Sequence, residues 1–190
     1  MDPDYNSKRP LSDAKQLSHI LASPSRGWVG LDYGGGEGKL SKWLRDNGFN
    51  YDSYDPYGSG NSINDQNNKT YNFCSMFEVA EHSPDPIKTF EDVLSLLHPS
   101  KFILLVGTHV NDKINMSEGI KSWWYAAPRN GHVSLYSKKA LSLLAYKLNM
   151  SYVSISEVTH IFYRGYFLPH VVWIILSGKL RQKIATPWSV

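Results

Sequence analysis

The sequence predicts an α/β fold built on a doubly wound sheet, mostly parallel, with an antiparallel hairpin strand at the C-terminal end. Three observations carry this expectation. Leu31, Asp32, Tyr33, Gly34, Gly35, Gly36, Glu37 and Gly38 read as a strand entering a glycine turn that opens a helix. Short apolar runs then alternate with segments of helical periodicity. No internal repeat or linker interrupts them, so residues 1–190 are expected to form a single domain. Glycines let the backbone turn sharply and leave its amides open to a ligand, the form of a nucleotide-binding turn. A dinucleotide fingerprint would place its third glycine at position 39; this chain has Lys39 there, and the pattern is GxGxG.

In order along the chain, Leu11 to Ser23 carries Leu11, Ala14, Leu17, Ile20 and Leu21 at helical spacing, an N-terminal helix that Pro24 ends. Trp28 to Tyr33 is a short apolar strand. Glu37 to Asn47 carries Leu40, Trp43 and Leu44 on one helical face, with Gly48 as the stop. Asn50 to Tyr54 reads as a second strand ending at Asp55, broken by Pro56, Gly58 and Gly60. From Gly58 to Thr70 the chain is rich in Asn, Ser, Gly and Asp, which predicts a loop and an abbreviated third-strand region. Tyr71 to Val79 is the next strand. It leads through Glu81 and His82 to a helix with Ile87, Phe90, Val93, Leu94 and Leu97 on its buried face, closed by Pro99.

Lys101 to Gly107 (KFILLVG) is a near-continuous apolar run, as expected of a central strand covered on both faces. The weakly periodic segment from about 110 to 129, with Trp123, Trp124 and Tyr125, is placed as a lid. Ser137 is the predicted N-cap of a helix through Ala140, Leu141, Leu144 and Leu148. Val153 to Thr159 and Val171 to Leu176 are predicted as the last two strands, with Phe162, Tyr163, Tyr166 and Phe167 in the loop between them.

Composition narrows the function classes. Cys74 is the lone cysteine, so no internal disulfide can form, and no CxxC or Cys/His spacing indicates a metal site. Val171 to Leu176 is too short to span a bilayer and Met1 to Pro10 is polar, so a soluble cytoplasmic protein with no membrane partner is expected. The formal charge is +3, and the basic residues are scattered, for example Lys138 with Lys139 and Lys179 with Arg181; no nucleic-acid partner is expected.

With these motifs in order, the chain resembles the class I methyltransferases that use S-adenosylmethionine (SAM), in particular small bacterial enzymes with EVxEHxxDP and GHVSxxS segments. LDYGGGEG resembles the family's first motif, YDPY with Asp55 its acidic second-strand end, FEVAEHSPDP its EVLEHxxDP stretch, and GHVSLYS (Gly131 to Ser137) the last. The resemblance spans most of the chain and implies a Rossmann-like fold, SAM as methyl donor and S-adenosylhomocysteine as product. Two positions depart from the family. The aspartate that such enzymes carry before the strand leading into EVAEH is Asn72 here. The segment from Pro56 to Thr70 is too short for a full helix and a strand bearing an adenine-contacting acid.

A SAM site needs an open backbone turn, a carboxylate for the ribose hydroxyls and a flat apolar slot. The turn at Gly34, Gly35, Gly36 and Gly38 suits the methionine carboxylate. Asp55, with Pro56 beside it, is placed to accept from the ribose, or else is simply a strand-end turn residue. Asp32 is a candidate for the methionine amino group, against a role bracing the turn; the resemblance implies the Phe77 backbone carbonyl near the same group. Asn64 or Asp65 is the candidate for adenine, against an ordinary solvated loop.

Methyl transfer is an in-line displacement, so holding the nucleophile near the methyl group carries much of the catalysis. Deprotonating a hydroxyl or ammonium acceptor points to histidine at neutral pH. His82, His132 and Glu81 are the catalytic candidates, each with a structural hydrogen-bonding role as the alternative. Trp124 and Tyr125 are the candidate acceptor contacts, against ordinary packing. The expected partner is a small-molecule acceptor with an O- or N-nucleophile, and a homodimer is left open. Sugars and quinol-type rings are among the acceptors of similar enzymes. The alternatives are a SAM-binding interaction domain without catalysis and a nicotinamide-dependent oxidoreductase, the latter disfavoured by Lys39.

Overall fold

A computed structural model describes residues 8–22, 27–58, 61, 69–114, 117, 119–166 and 168–185. Its order is α1 (Arg9–Leu21), β1 (Gly30–Tyr33), α2 (Lys39–Asp46), β2 (Tyr51–Tyr54), β3 (Phe73–Phe77), α3 (Pro86–Leu96), β4 (Phe102–Gly107), α4 (Lys138–Lys147), β5 (Ser151–Ser154), β6 (Thr159–Arg164) and α5 (Leu168–Ala185). The six strands form one sheet in the order β2-β1-β3-β4-β6-β5. β1, β2, β3 and β4 pair in parallel, while β6 is antiparallel to both β4 and β5.

Strand alternation separates two cores. From β4, Phe102, Leu104 and Val106 enter one core with Phe90 and Val93 of α3 and Leu141 and Leu144 of α4. Ile103 and Leu105 enter the other, with residues of α1, α2 and α5. The expected central strand is therefore covered on both faces. Ser137 caps α4 as predicted, its Oγ accepting from the Ala140 N–H at 3.1 Å.

The C-terminal region corrects the sequence reading. Val171 to Leu176 is not a strand; it lies within α5, and Val171, Ile174 and Ile175 are buried at i, i+3, i+4 spacing while Trp173 and Leu176 face outward. A short unbroken apolar run fits a buried strand and a helix equally by periodicity, and Pro169 in the first turn suits the helix. Burying each of those side chains contributes about 1.5–3 kcal/mol. The last strand is instead β6, in the segment assigned to an aromatic loop: Ile161 and Tyr163 face one core and Phe162 the other. The hairpin exists, one element earlier than expected. The strand expected from Val153 to Thr159 is β5, which starts and ends earlier.

Asn72, where the family pattern has aspartate, accepts from the Val29 N–H (2.8 Å) and donates to the Gly27 carbonyl (3.1 Å), tying the entry to β1 to the entry to β3. Between β2 and β3 the described residues form no strand; Asn64 and Asp65, like Pro24 and Phe167, lie outside the described residues. Among the described residues no helix is long and apolar enough to cross a membrane.

Candidate active site

β1 connects to β2 on one side of it and β3 lies on the other, so the carboxyl ends of β1 and β3 flank a topological switch point, where open α/β sheets bind ligands. A cavity of about 100 Å³ opens there, lined by Asp32, Gly34, Gly35, Gly36, Phe77 and Glu78, with Arg9 and Asp13 of α1 across it. At Gly34, φ is +77° and an added Cβ would lie 2.3 Å from Val79 Cγ2, so any side chain would push the turn off the β3 exit. Gly36, at φ +55°, has nothing within 4 Å of its Cβ position, so the turn is open on that side. Gly38, at φ +71°, is the N-cap of α2.

Two carboxylates frame the turn. Asp32 is buried; its Oδ1 accepts from Ser75 Oγ at 2.8 Å, and Ser75 in turn accepts from the Tyr51 hydroxyl at 2.9 Å. Burial pushes its pKa up to about 7, with the charges of Asp13 and Asp55 adding to the rise and the Ser75 hydrogen bond opposing it. Asp55 Oδ2 accepts from the Gly36 N–H and Oδ1 from the Tyr57 N–H, both at 2.8 Å. Asn61 clamps the Asp55 backbone, accepting from its N–H (2.6 Å) and donating to its carbonyl (3.0 Å). Asp55 thus braces the glycine turn while retaining lone pairs for a ligand hydroxyl. Asp55 and Pro56 stand outside the lining of the small cavity.

A second cavity, about 710 Å³, shares Arg9, Asp13, Phe77 and Glu78 with the first. His82, His109, Trp124, Tyr125 and His132 line it. Distant segments meet here through the backbone. The Glu81 carbonyl accepts from the Val133 and Ser134 N–H groups (2.9 and 3.0 Å), the Ser83 carbonyl from Ser134 Oγ (2.5 Å), and the Ala80 carbonyl from the Tyr136 hydroxyl (2.9 Å). The GHVSLYS segment is thereby stitched to the turn that follows β3. Gly131 has φ +83° and its Cβ position lies 3.0 Å from His82 Nδ1, so glycine is needed where the two segments touch.

The His82 and His132 rings meet edge to face at 5.0 Å. His82 Nδ1 lies 3.1 Å from the Gly131 carbonyl, and His132 Nδ1 lies 2.7 Å from the Tyr125 carbonyl. Glu81 is fully buried beside them, and neither carboxylate oxygen has a hydrogen-bond partner of ordinary geometry among the described residues. Burial, then the Glu81 charge and a loose side-chain interaction with the Glu81 carboxylate, push the Tyr125 hydroxyl well above its usual pKa; that hydroxyl is 3.3 Å from Thr108 Oγ1. Trp124 is exposed at the cavity mouth, while Trp123 and Tyr125 are buried.

The sequence reading missed four residues at the junction. Glu78 takes φ +53°, a conformation that costs a non-glycine residue on the order of 1–3 kcal/mol and clusters at functional sites. Its carboxylate pairs with Arg9 at 3.2 Å. Burial, and the nearby Glu81 charge, raise its pKa. Asp13, pushed by burial up to about 6, faces both cavities from α1 with Arg9. His109, after β4, packs on Tyr125 at 4.7 Å, and burial lowers its pKa, favouring the neutral ring. Glu78 was visible in FEVAEH; the other three owe their position to packing between distant segments.

A search of curated proteins by sequence finds no significant match. Among solved structures, the plantazolicin methyltransferase BpumL in complex with a pentazolic desmethylPZN analogue and S-adenosylhomocysteine superposes with TM-score 0.59 at 15% identity, over 98% of this chain and 83% of that one. BpumL with S-adenosylhomocysteine alone gives 0.58 at 16% identity, over 100% and 88%. The mitomycin 7-O-methyltransferase MmcR gives 0.54 at 14% identity, over 81% of this chain and 53% of MmcR. These likenesses establish the shared fold. The family model of a methyltransferase domain matches residues 5–155. The chain therefore belongs to the methyltransferase-domain family, and it is a SAM-dependent methyltransferase.

Proposed function

We propose that the enzyme moves the SAM methyl group to an O- or N-nucleophile of a small-molecule acceptor held in the larger cavity. One observation carries this reading: Arg9, Asp13, Phe77 and Glu78 line both cavities, so a donor seated on the glycine turn presents its sulfonium to the acceptor space. In this reading the Gly35 amide of the glycine turn holds the methionine carboxylate, the Gly34 and Gly36 amides being bonded to the Tyr54 carbonyl and to Asp55; Asp32 and the Phe77 carbonyl hold its ammonium, and Asp55 accepts from the ribose hydroxyls. The cationic ammonium favours the ionised form of Asp32, offsetting the burial that raises its pKa.

Trp124 and Tyr125 hold the acceptor against the mouth and wall of the larger cavity, while Glu81, His82 and His132 orient its nucleophile. His109, held neutral by burial, takes the proton that a hydroxyl or ammonium must lose. The new bond forms as the S–CH₃ bond breaks in line, and sulfur leaves as the neutral thioether.

Calorimetric titration of the full chain with S-adenosylhomocysteine tests the donor assignment. Asp55→Ala is expected to weaken binding on the order of 10-fold or more, the effect of removing charge-assisted hydrogen bonds worth about 1.5–3 kcal/mol. Undiminished binding by the variant contradicts the assignment.

A further inference from the structure

The buried Glu81 carboxylate has no hydrogen-bond partner of ordinary geometry, only a looser interaction with the Tyr125 hydroxyl, and it sits beside two imidazoles whose tautomers the backbone fixes. One ligand atom from each of Glu81, His82 and His132 lies within 4.8 Å of the others. A carbonyl cannot donate, so the contacts of His82 Nδ1 with Gly131 and of His132 Nδ1 with Tyr125 make each Nδ1 the protonated nitrogen. Each Nε2 then carries a lone pair. A metal-bound histidine needs this arrangement: one ring nitrogen donating to a backbone carbonyl, the other free to ligate. A carboxylate buried with so little polar contact is costly, on the order of several kcal/mol, unless a cation joins it.

We propose that Glu81, His82 and His132 bind a divalent first-row metal ion, and that the ion takes an oxygen of the acceptor as a further ligand. Two imidazoles with one carboxylate favour Mn²⁺, Co²⁺, Fe²⁺ or Zn²⁺ over the all-oxygen cations. Three protein ligands leave coordination positions toward the larger cavity, which His82 and His132 line. Glu78, paired with Arg9, lies at the edge of the same space. The ion's catalytic role rests on the methyltransferase reading above, and it narrows the nucleophile to oxygen. Metal coordination lowers the acceptor hydroxyl's pKa. Its proton passes to His109, an oxygen lone pair forms the C–O bond to the donor methyl, and the S–C electron pair remains on sulfur; nothing is oxidised or reduced.

The test uses the full chain freed of metal by chelation and dialysis, titrated with MnCl₂ by electron paramagnetic resonance and with ZnCl₂ by calorimetry. S-adenosylhomocysteine binding is measured on the same samples. One ion per chain is expected, with affinity at least about 100-fold weaker in Glu81→Gln and in His132→Asn, while both variants still bind S-adenosylhomocysteine and so are folded. A wild type that binds S-adenosylhomocysteine but neither ion, or a folded Glu81→Gln with wild-type ion affinity, overturns the metal site. Ion binding without S-adenosylhomocysteine binding supports the metal site and contradicts the donor assignment instead, so the two failures are distinct.

Discussion

Replacing Asp32 by Asn removes a carboxylate that the fold buries and the donor's ammonium is proposed to need. In the wild type, burial holds the Asp32 pKa at about 7 against an ordinary value of 3.8. The folded chain therefore keeps a proton that the unfolded chain has already lost. Stability contributed by this proton is complete below pH 3.8 and is lost as the pH rises through about 7. Between pH 5 and pH 8 the wild type should lose about 2.5 kcal/mol relative to Asp32→Asn, which does not titrate there and keeps a carbonyl oxygen for Ser75. For a chain of this size that is roughly 5–10 °C in Tm. Parallel thermal scans of the two proteins without ligand measure it, and taking their difference cancels most of the Asp13 titration. On the donor side, SAM binding at pH 7 should release roughly half a proton in the wild type and none in the variant, read as a dependence of the calorimetric enthalpy on buffer. Stability curves that stay parallel from pH 5 to pH 8 refute the buried ionisation. A buffer-independent binding enthalpy in the wild type refutes contact between Asp32 and the ammonium.

Gly34→Ala places a methyl 2.3 Å from Val79 Cγ2 on a left-handed backbone, so it should destabilise the fold by about 2–5 kcal/mol and weaken S-adenosylhomocysteine binding. Adding Val79→Ala should recover part of the loss, and an unchanged melting temperature in the single variant contradicts the packing. Trp124→Ala should raise the acceptor KM with little change in Tm, because the ring is 72% exposed at the cavity mouth while Trp123 and Tyr125 on either side are buried. Once an acceptor is in hand, steady-state kinetics check this, and an unchanged KM removes Trp124 from the acceptor site.

Local chemistry was legible in the sequence. Glycines at 34, 36 and 38 announced the turn, Ser137 announced its helix, and KFILLVG announced the central strand, because each depends on neighbours along the chain. VVWIIL misled because six apolar residues carry no period of their own; whether they form strand or helix is decided by α1, which α5 packs against. THIFYR is a strand because β4 offers it an antiparallel edge. The donor-side candidates Asp32 and Phe77 could be named from motifs and do line the small cavity, whereas Arg9, Asp13 and His109 carry no motif and reach the site through packing. The pairing of Glu81 and His82 with His132 was hidden for the same reason. Metal-ligand spacing is a local pattern, and these side chains come from the helical turn after β3 and from a distant loop, joined by backbone hydrogen bonds.

A crystal structure of the full chain with S-adenosylhomocysteine bound tests the placement of the donor most directly. The expected result has the amino-acid end on the Gly34 to Gly36 turn beside Asp32, the ribose hydroxyls on Asp55, and the sulfur at the Phe77 and Glu78 junction, facing the cavity lined by His82, His109 and His132. Density for the ligand elsewhere, or a sulfur turned away from that cavity, contradicts it.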